Sequence, residues 1–131
     1  MTDLNNYESD VKKTIEKLIQ TASHYDLEAL EKIYHDQMEV VMIDPSGQVH
    51  TADKASFIEI FQARKEENAP MNTWVEFHHI QADAENGLVV LTRKNNLAGQ
   101  DMLVNLSIDL KYTDQRWQVT REVIFLHPIS N

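Results

Sequence analysis

Apolar residues at the start of the chain recur three and four positions apart: Leu4, Tyr7, Val11, Ile15, Leu18, Ile19 and Ala22. This spacing predicts a long helix with a single apolar stripe, which packs against a sheet or a second helix. Ser23-His24-Tyr25 interrupts the pattern. Asp26 then has the chemistry of an N-cap, its carboxylate accepting a backbone N–H of a second helix that carries Leu27, Leu30, Ile33 and Tyr34. At Met38 the period shortens. Met38–Ile43 is rich in β-branched residues and runs into Asp44-Pro-Ser-Gly, which predicts a strand closed by a tight turn. Gln48–His50 reads as a short return strand. Thr51 or Asp53 caps a third helix with Phe57, Ile58, Ile60 and Phe61, which Asn68-Ala-Pro70 ends.

The second half reads as strands. Thr73–Ala82 alternates loosely, and Asn86-Gly87 suits a type I′ hairpin turn, which needs positive φ at both positions. Leu88–Leu97 is the return strand, and Ala98-Gly99 turns the chain into Met102–Tyr112. There Val104, Leu106, Ile108, Leu110 and Tyr112 alternate with polar residues. Thr113–Arg116 is a turn, and Trp117–Leu126 is a last strand with apolar residues on parts of both faces. The order α-α-β-β-α-β-β-β-β places helices before an antiparallel meander, so the expected class is α+β rather than a βαβ repeat.

Composition narrows the partners. The chain has 131 residues, 42% apolar and 25% charged, which fits one globular domain over residues 4–129. The formal net charge of -9 repels phosphate backbones and anionic membrane surfaces, so neither nucleic acid nor a membrane is expected as partner. No apolar run approaches the ~20 residues of a membrane span, and the polar, acidic start is unlike a signal peptide. Cysteine is absent, which excludes disulfides, thiolate metal sites and cysteine nucleophiles and fits a cytoplasmic location.

Four segments in order give the chain a family likeness. "HYDLEALEKIYH" joins two helices, "VVMIDPSG" is a strand ending in Asp-Pro-x-Gly, "KASFIEIF" is a short helix, and "YTDQRWQV" is a turn leading into a tryptophan strand. Together they resemble the nuclear transport factor 2-like superfamily, also called SnoaL-like or cystatin-like. Thr51-Ala52 stands where that family often has glycine. The resemblance implies a cone-shaped α+β barrel, a curved antiparallel sheet wrapped around the long first helix, with an apolar pocket at its open end. It also implies homodimers through the outer sheet face. Members range from ketosteroid isomerase, cyclases and dehydratases to non-catalytic modules, so fold alone does not give the reaction.

The candidate chemistry centres on Asp44. Its Asp-Pro-x-Gly context resembles the strand end that carries the general base of ketosteroid isomerase, an enzyme whose tuned carboxylates are a standard worked case. Alternation puts Val40, Met42 and Asp44 on one face, and burial there would raise the carboxyl pKa. An aspartate before proline is equally a turn former that accepts its own turn's N–H groups. Asp109, in "SIDLKY", resembles that enzyme's oxyanion-hole aspartate, but alternation places it opposite the apolar face. The position of the enzyme's oxyanion tyrosine falls near Leu18, which donates no hydrogen bond. Of His78 and His79, which diverge across a strand, His79 shares a face with Val75 and Phe77 and is expected inside. Arg93 and Arg121 sit mid-strand, where they are solvated or paired with Glu122, Asp109 or Glu76; an inward arginine would make an acid-binding pocket.

The sequence therefore leads to a homodimeric domain that binds an apolar or mildly polar small molecule. Asp44 and His79 are the candidate catalytic groups, and Tyr34, Met42, Phe57, Phe61 and Trp74 are the candidate pocket residues. No metal and no cofactor is expected, since the histidines show no ligand spacing. The alternative is a non-catalytic sensing or association module whose pocket is filled by its own side chains.

Overall fold

The computed structural model describes residues 4–68, 73–95 and 101–129. Helix α1 (Asn6–Ser23) opens with a capping box between Asn5 and Glu8, and buries Val11, Ile15, Leu18, Ile19 and Ala22. Leu4 and Tyr7, the outer end of the predicted stripe, stay exposed. The chain then turns through Tyr25, which takes a left-handed φ of 54°. Asp26 caps α2 (Leu27–Ile33) by accepting the N–H of Ala29. Strand β1 (Tyr34–Ile43) follows without a loop and pairs with β2 (Val49–Asp53) across the Asp44–Gln48 turn. Asp53, not Thr51, caps α3 (Lys54–Glu66). Strands β3 (Val75–Ala82), β4 (Asn86–Asn95), β5 (Met102–Thr113) and β6 (Arg116–Pro128) complete the chain. The predicted element order holds throughout. Pro70, Leu97 and the Ala98-Gly99 turn lie outside the described residues.

The six strands form one sheet in the order β2-β1-β6-β5-β4-β3. The α+β class is as expected, with one departure: β1 runs parallel to β6, so the curved sheet is mixed rather than antiparallel. The meander β3–β6 places its last strand in the middle of the sheet, and β1 adds beside it. Helices α1 and α3 cover the concave face, where Phe57, Phe61, Leu91, Val104 and Val119 are buried.

Two irregularities set which side chains face that core. In β3, Phe77 pairs with Leu91 but His79 with Val90, so His78 is an extra residue. In β6, Leu110 pairs with Val119 but Asp109 with Arg121, so Thr120 is extra. Each bulge reverses the alternation downstream of it. In β6, Trp117 and Val119 point inward before the bulge, and Glu122, Ile124 and Leu126 after it. The apolar character of both strand faces, visible in the sequence, comes partly from this change of phase and partly from Val123 and Phe125, which lie on the outer face.

The turns also differ from their sequence reading. Asn86-Gly87 is not the hairpin turn; Asp83 makes it, accepting N–H groups of Glu85 and Asn86. Gly87 lies within β4 where α1 comes close: a Cβ there would sit 3.0 Å from a Val11 methyl. The two consecutive positive φ values of a I′-like turn occur at Asp114 (53°) and Gln115 (62°), between β5 and β6.

Candidate functional site

Between α1, α3 and the inner sheet face lies a cavity lined, among the described residues, by 13 side chains. Ile15, Leu18, Ile19 and Ala22 come from α1, Phe57 and Phe61 from α3, Leu91, Leu106, Ile108 and Ile124 from the sheet. The polar remainder is Tyr34, Arg93 and Glu122. The unfilled space is about 430 Å3 counting the open mouth, and about 30 Å3 of it admits the centre of a water-sized sphere. That is room for two or three water molecules, each of which needs roughly 10–15 Å3. A groove lined by Gln37, Glu39, Thr51 and Ser56 is wider, with about 720 Å3 of unfilled space, but lies open at the surface.

Each polar group reaches the cavity for a local reason. Tyr34 is both the C-cap of α2 and the first residue of β1, so the short helix delivers its ring directly inward. Its ring packs at 5.6 Å from that of Phe57, which lies edge-on to Phe61 at 5.3 Å. Arg93 alternates with Val89 and Leu91 on β4 and is 8% exposed. Glu122 is turned inward by the Thr120 bulge and is 3% exposed.

The three groups are electrostatically coupled. Burial pushes the Glu122 carboxyl up to about 7, against the pull of the Arg93 charge and of a hydrogen bond with Tyr34. Burial also raises the Tyr34 hydroxyl well above its ordinary value, with the Glu122 charge adding to the effect. The same burial lowers Arg93, although a guanidinium remains charged in proteins. The result is a carboxyl that exchanges its proton near neutrality, next to a fixed cation and a hydroxyl donor, in an apolar wall. Such an environment is what general acid–base chemistry requires.

The residues singled out from sequence divide. Tyr34, Phe57 and Phe61 come together in the cavity. Met42 is half-buried against the core but outside the lining. Trp74 is 42% exposed, with the Lys94 ammonium 5.1 Å from its ring centre. His79 is corrected from inside to outside: the His78 bulge turns it to the exposed face, where its Nε2 lies 3.3 Å from Gln81 Oε1. Asp44 is corrected as well. Its carboxylate folds back into its own turn, accepting from Ser46 N (2.9 Å), Ser46 Oγ (2.6 Å) and Gln48 N (3.0 Å), with His50 Nε2 at 2.9 Å. Those hydrogen bonds, Ser46 Oγ and His50 first, hold its pKa far below the ordinary carboxylate range rather than above it.

Asp109 and Arg121 face each other across β5 and β6 on the outer side, and Arg121 Nε lies 3.6 Å from Glu39 Oε1. Of the mid-strand arginines, Arg93 is the inward one. Among the described residues, no three His, Asp or Glu side chains group as metal ligands, and no helix is long and apolar enough to cross a membrane. Sequence reasoning named Glu122 only as an arginine's partner and missed its place in the cavity. Its signal was present: an acid directly before Val-Ile-Phe-Leu, downstream of the residue where the apolar phase switches.

Comparison with known proteins agrees with this architecture. Residues 11–124 match the model of the SnoaL-like domain family. Among solved structures, an NTF-2 like protein of unknown function from Silicibacter pomeroyi superposes with a TM-score of 0.73 at 13% identity, over 91% of this chain and 94% of that one. An NTF2-like protein from Cytophaga hutchinsonii gives 0.72 at 18% identity, over 95% and 100%. A third, of unknown function from Shewanella baltica, gives 0.72 at 10% identity, over 92% and 94%. At such identities the likeness is one of fold. No curated protein matches the chain.

Proposed function

This chain belongs to the SnoaL-like domain family, and we propose that within it the chain binds a small, chiefly apolar molecule in the α1–α3 cavity, with Glu122 as its proton-exchanging group. One observation carries the reading: among the described residues, the titratable groups lining the cavity are Tyr34, Arg93 and Glu122, and the carboxyl among them is poised at about 7. Asp44, bound into its turn, is too weak a base at neutral pH for this role. The reaction class that fits is cofactor-independent proton transfer next to a polarised carbonyl. Glu122 moves the proton, and Tyr34 and Arg93 face the oxygen where charge develops.

The small free space, about 30 Å3, favours a second reading, a closed non-catalytic module. A ligand screen followed by amide and methyl NMR separates the two. Binding that shifts Phe57, Phe61 and Ile108 resonances in wild type, with turnover lost and binding retained in Glu122→Gln, supports the enzyme. Binding without turnover in either protein supports the module. No ligand shifting those resonances overturns the small-molecule reading. The outer sheet face, where Val90, Val123 and Phe125 lie, supports a homodimer in either case.

A further inference from the structure

We propose that the cavity selects a small apolar monoanion, a carboxylate on a short branched hydrocarbon, and that its binding brings a proton onto Glu122; this rests on the small-molecule reading above and names its ligand class. The lining divides sharply. Among the described residues, every lining side chain from α1, α3 and β5 is aliphatic or aromatic, and the charged and titratable groups facing the cavity are Tyr34 from β1, Arg93 from β4 and Glu122 from β6. Arg93 is a permanent cation held where water has little access. Its planar fork matches a carboxylate.

Charge balance then fixes the state of Glu122. With Glu122 ionised, the empty cavity holds one positive and one negative charge and is neutral. An anionic ligand entering that state would leave a buried excess negative charge, which is strongly unfavourable. With Glu122 protonated, the ligand carboxylate answers Arg93, the cavity is again neutral, and the carboxyl O–H joins the Tyr34 hydroxyl as a second donor toward the ligand. A neutral amide of the same shape gains no such pairing and needs no proton. The free space holds only two or three waters, so even a hydrocarbon of a few carbons enters only as the lining side chains move apart.

The test is titration calorimetry of the wild-type protein with isobutyrate and with isobutyramide, between pH 6 and 9, in two buffers of different protonation enthalpy. Isobutyrate should bind more tightly than the amide, take up close to one proton at the alkaline end, and weaken about tenfold per pH unit above the Glu122 titration. Glu122→Gln should retain isobutyrate binding and lose both the uptake and the pH slope; the wild-type proton count decides the matter if that variant does not fold. Isobutyrate binding without uptake, or binding no tighter than the amide, overturns this inference while leaving the small-molecule reading in place. Failure of both probes at every pH, with no shift of cavity resonances, removes the reading as well.

Discussion

Glu122 ties the site to the stability of the fold. Its carboxyl moves from an ordinary 4.5 to about 7 on folding, chiefly through burial. The folded state therefore holds the proton more tightly than the unfolded chain, and stability falls as pH rises between those two values. A separation of that size corresponds to about 3 kcal/mol. Urea midpoints of wild type should fall from pH 5 to pH 7.5 relative to Glu122→Gln, which lacks the titration; parallel profiles would place Glu122 in an ordinary environment. Asp44 acts in the opposite direction. Its folded pKa is depressed by its turn, so its contribution is present above the unfolded value near 3.8 and is lost on acidification through the folded one. Asp44→Ala should lower the thermal midpoint at pH 7 and leave ligand binding in the cavity unchanged, as calorimetric scans and the NMR titration will show. A loss of binding with the fold intact would return Asp44 to the site. The difference between these two acids was only half legible in the sequence. Asp44 stands beside Pro45 and Gly47, and its turn chemistry could be read directly. Glu122 depends on a one-residue register shift against β5, and alternation counted from Trp117 points Arg121 inward instead.

Elements were more legible than residues because their signals are local. Helix caps at Asp26 and Asp53, the apolar stripe of α1 and the alternation of β5 follow from neighbours within a few positions. The parallel β1–β6 pair and the two bulges arise from strands far apart in the chain, and no short-range pattern specifies them. Gly87 shows how one residue type fits two explanations. It looked like a turn glycine, yet it serves the approach of α1 to β4. Gly87→Ala places a methyl 3.0 Å from Val11 Cγ2 and 3.6 Å from Trp117. It should cost about 1–3 kcal/mol as overpacking. Val11→Ala should recover part of that loss in a double-mutant cycle, since the pair is in contact. Additive effects of the two changes would mean that the strain lies elsewhere. The turn that does use positive φ offers the converse test. Gln115 sits at φ 62°, which glycine adopts without a Cβ penalty. Gln115→Gly should raise the thermal midpoint by about 2 °C, from a gain of roughly 0.5 kcal/mol. A fall would show that the Gln115 side chain contributes more than its backbone costs.

At the scale of the molecule, the concave face is closed by α1 and α3, while the convex face has no covering element among the described residues. Val41 and Ile43 of β1, Val90 of β4 and Val123 of β6 are half-buried there, and Phe125 is 41% exposed. A polar row crosses the same face: His78 Nε2 lies 2.6 Å from Thr92 Oγ1, which donates to Asn105 Oδ1 at 2.7 Å, and Asn105 Nδ2 reaches His127 Nε2 at 3.3 Å. With its hydrogen bonds met across four strands, that row can be covered at lower desolvation cost than isolated polar groups. A second copy of the chain is the expected cover. Two copies each carrying a formal charge of -9 repel one another over the whole surface, which weakens association at low ionic strength. Salt screens that repulsion and leaves the apolar contact intact. Dimerisation should therefore strengthen from 20 mM to 300 mM sodium chloride, opposite to an interface built on ion pairs. Phe125→Lys, at the exposed centre of the face, should shift the equilibrium toward monomer without unfolding the chain. Sedimentation equilibrium at micromolar concentration reads both effects directly. A species of 15.2 kDa at every salt concentration would show that the convex face stays solvated, and a dimer indifferent to Phe125→Lys would place the interface on another surface.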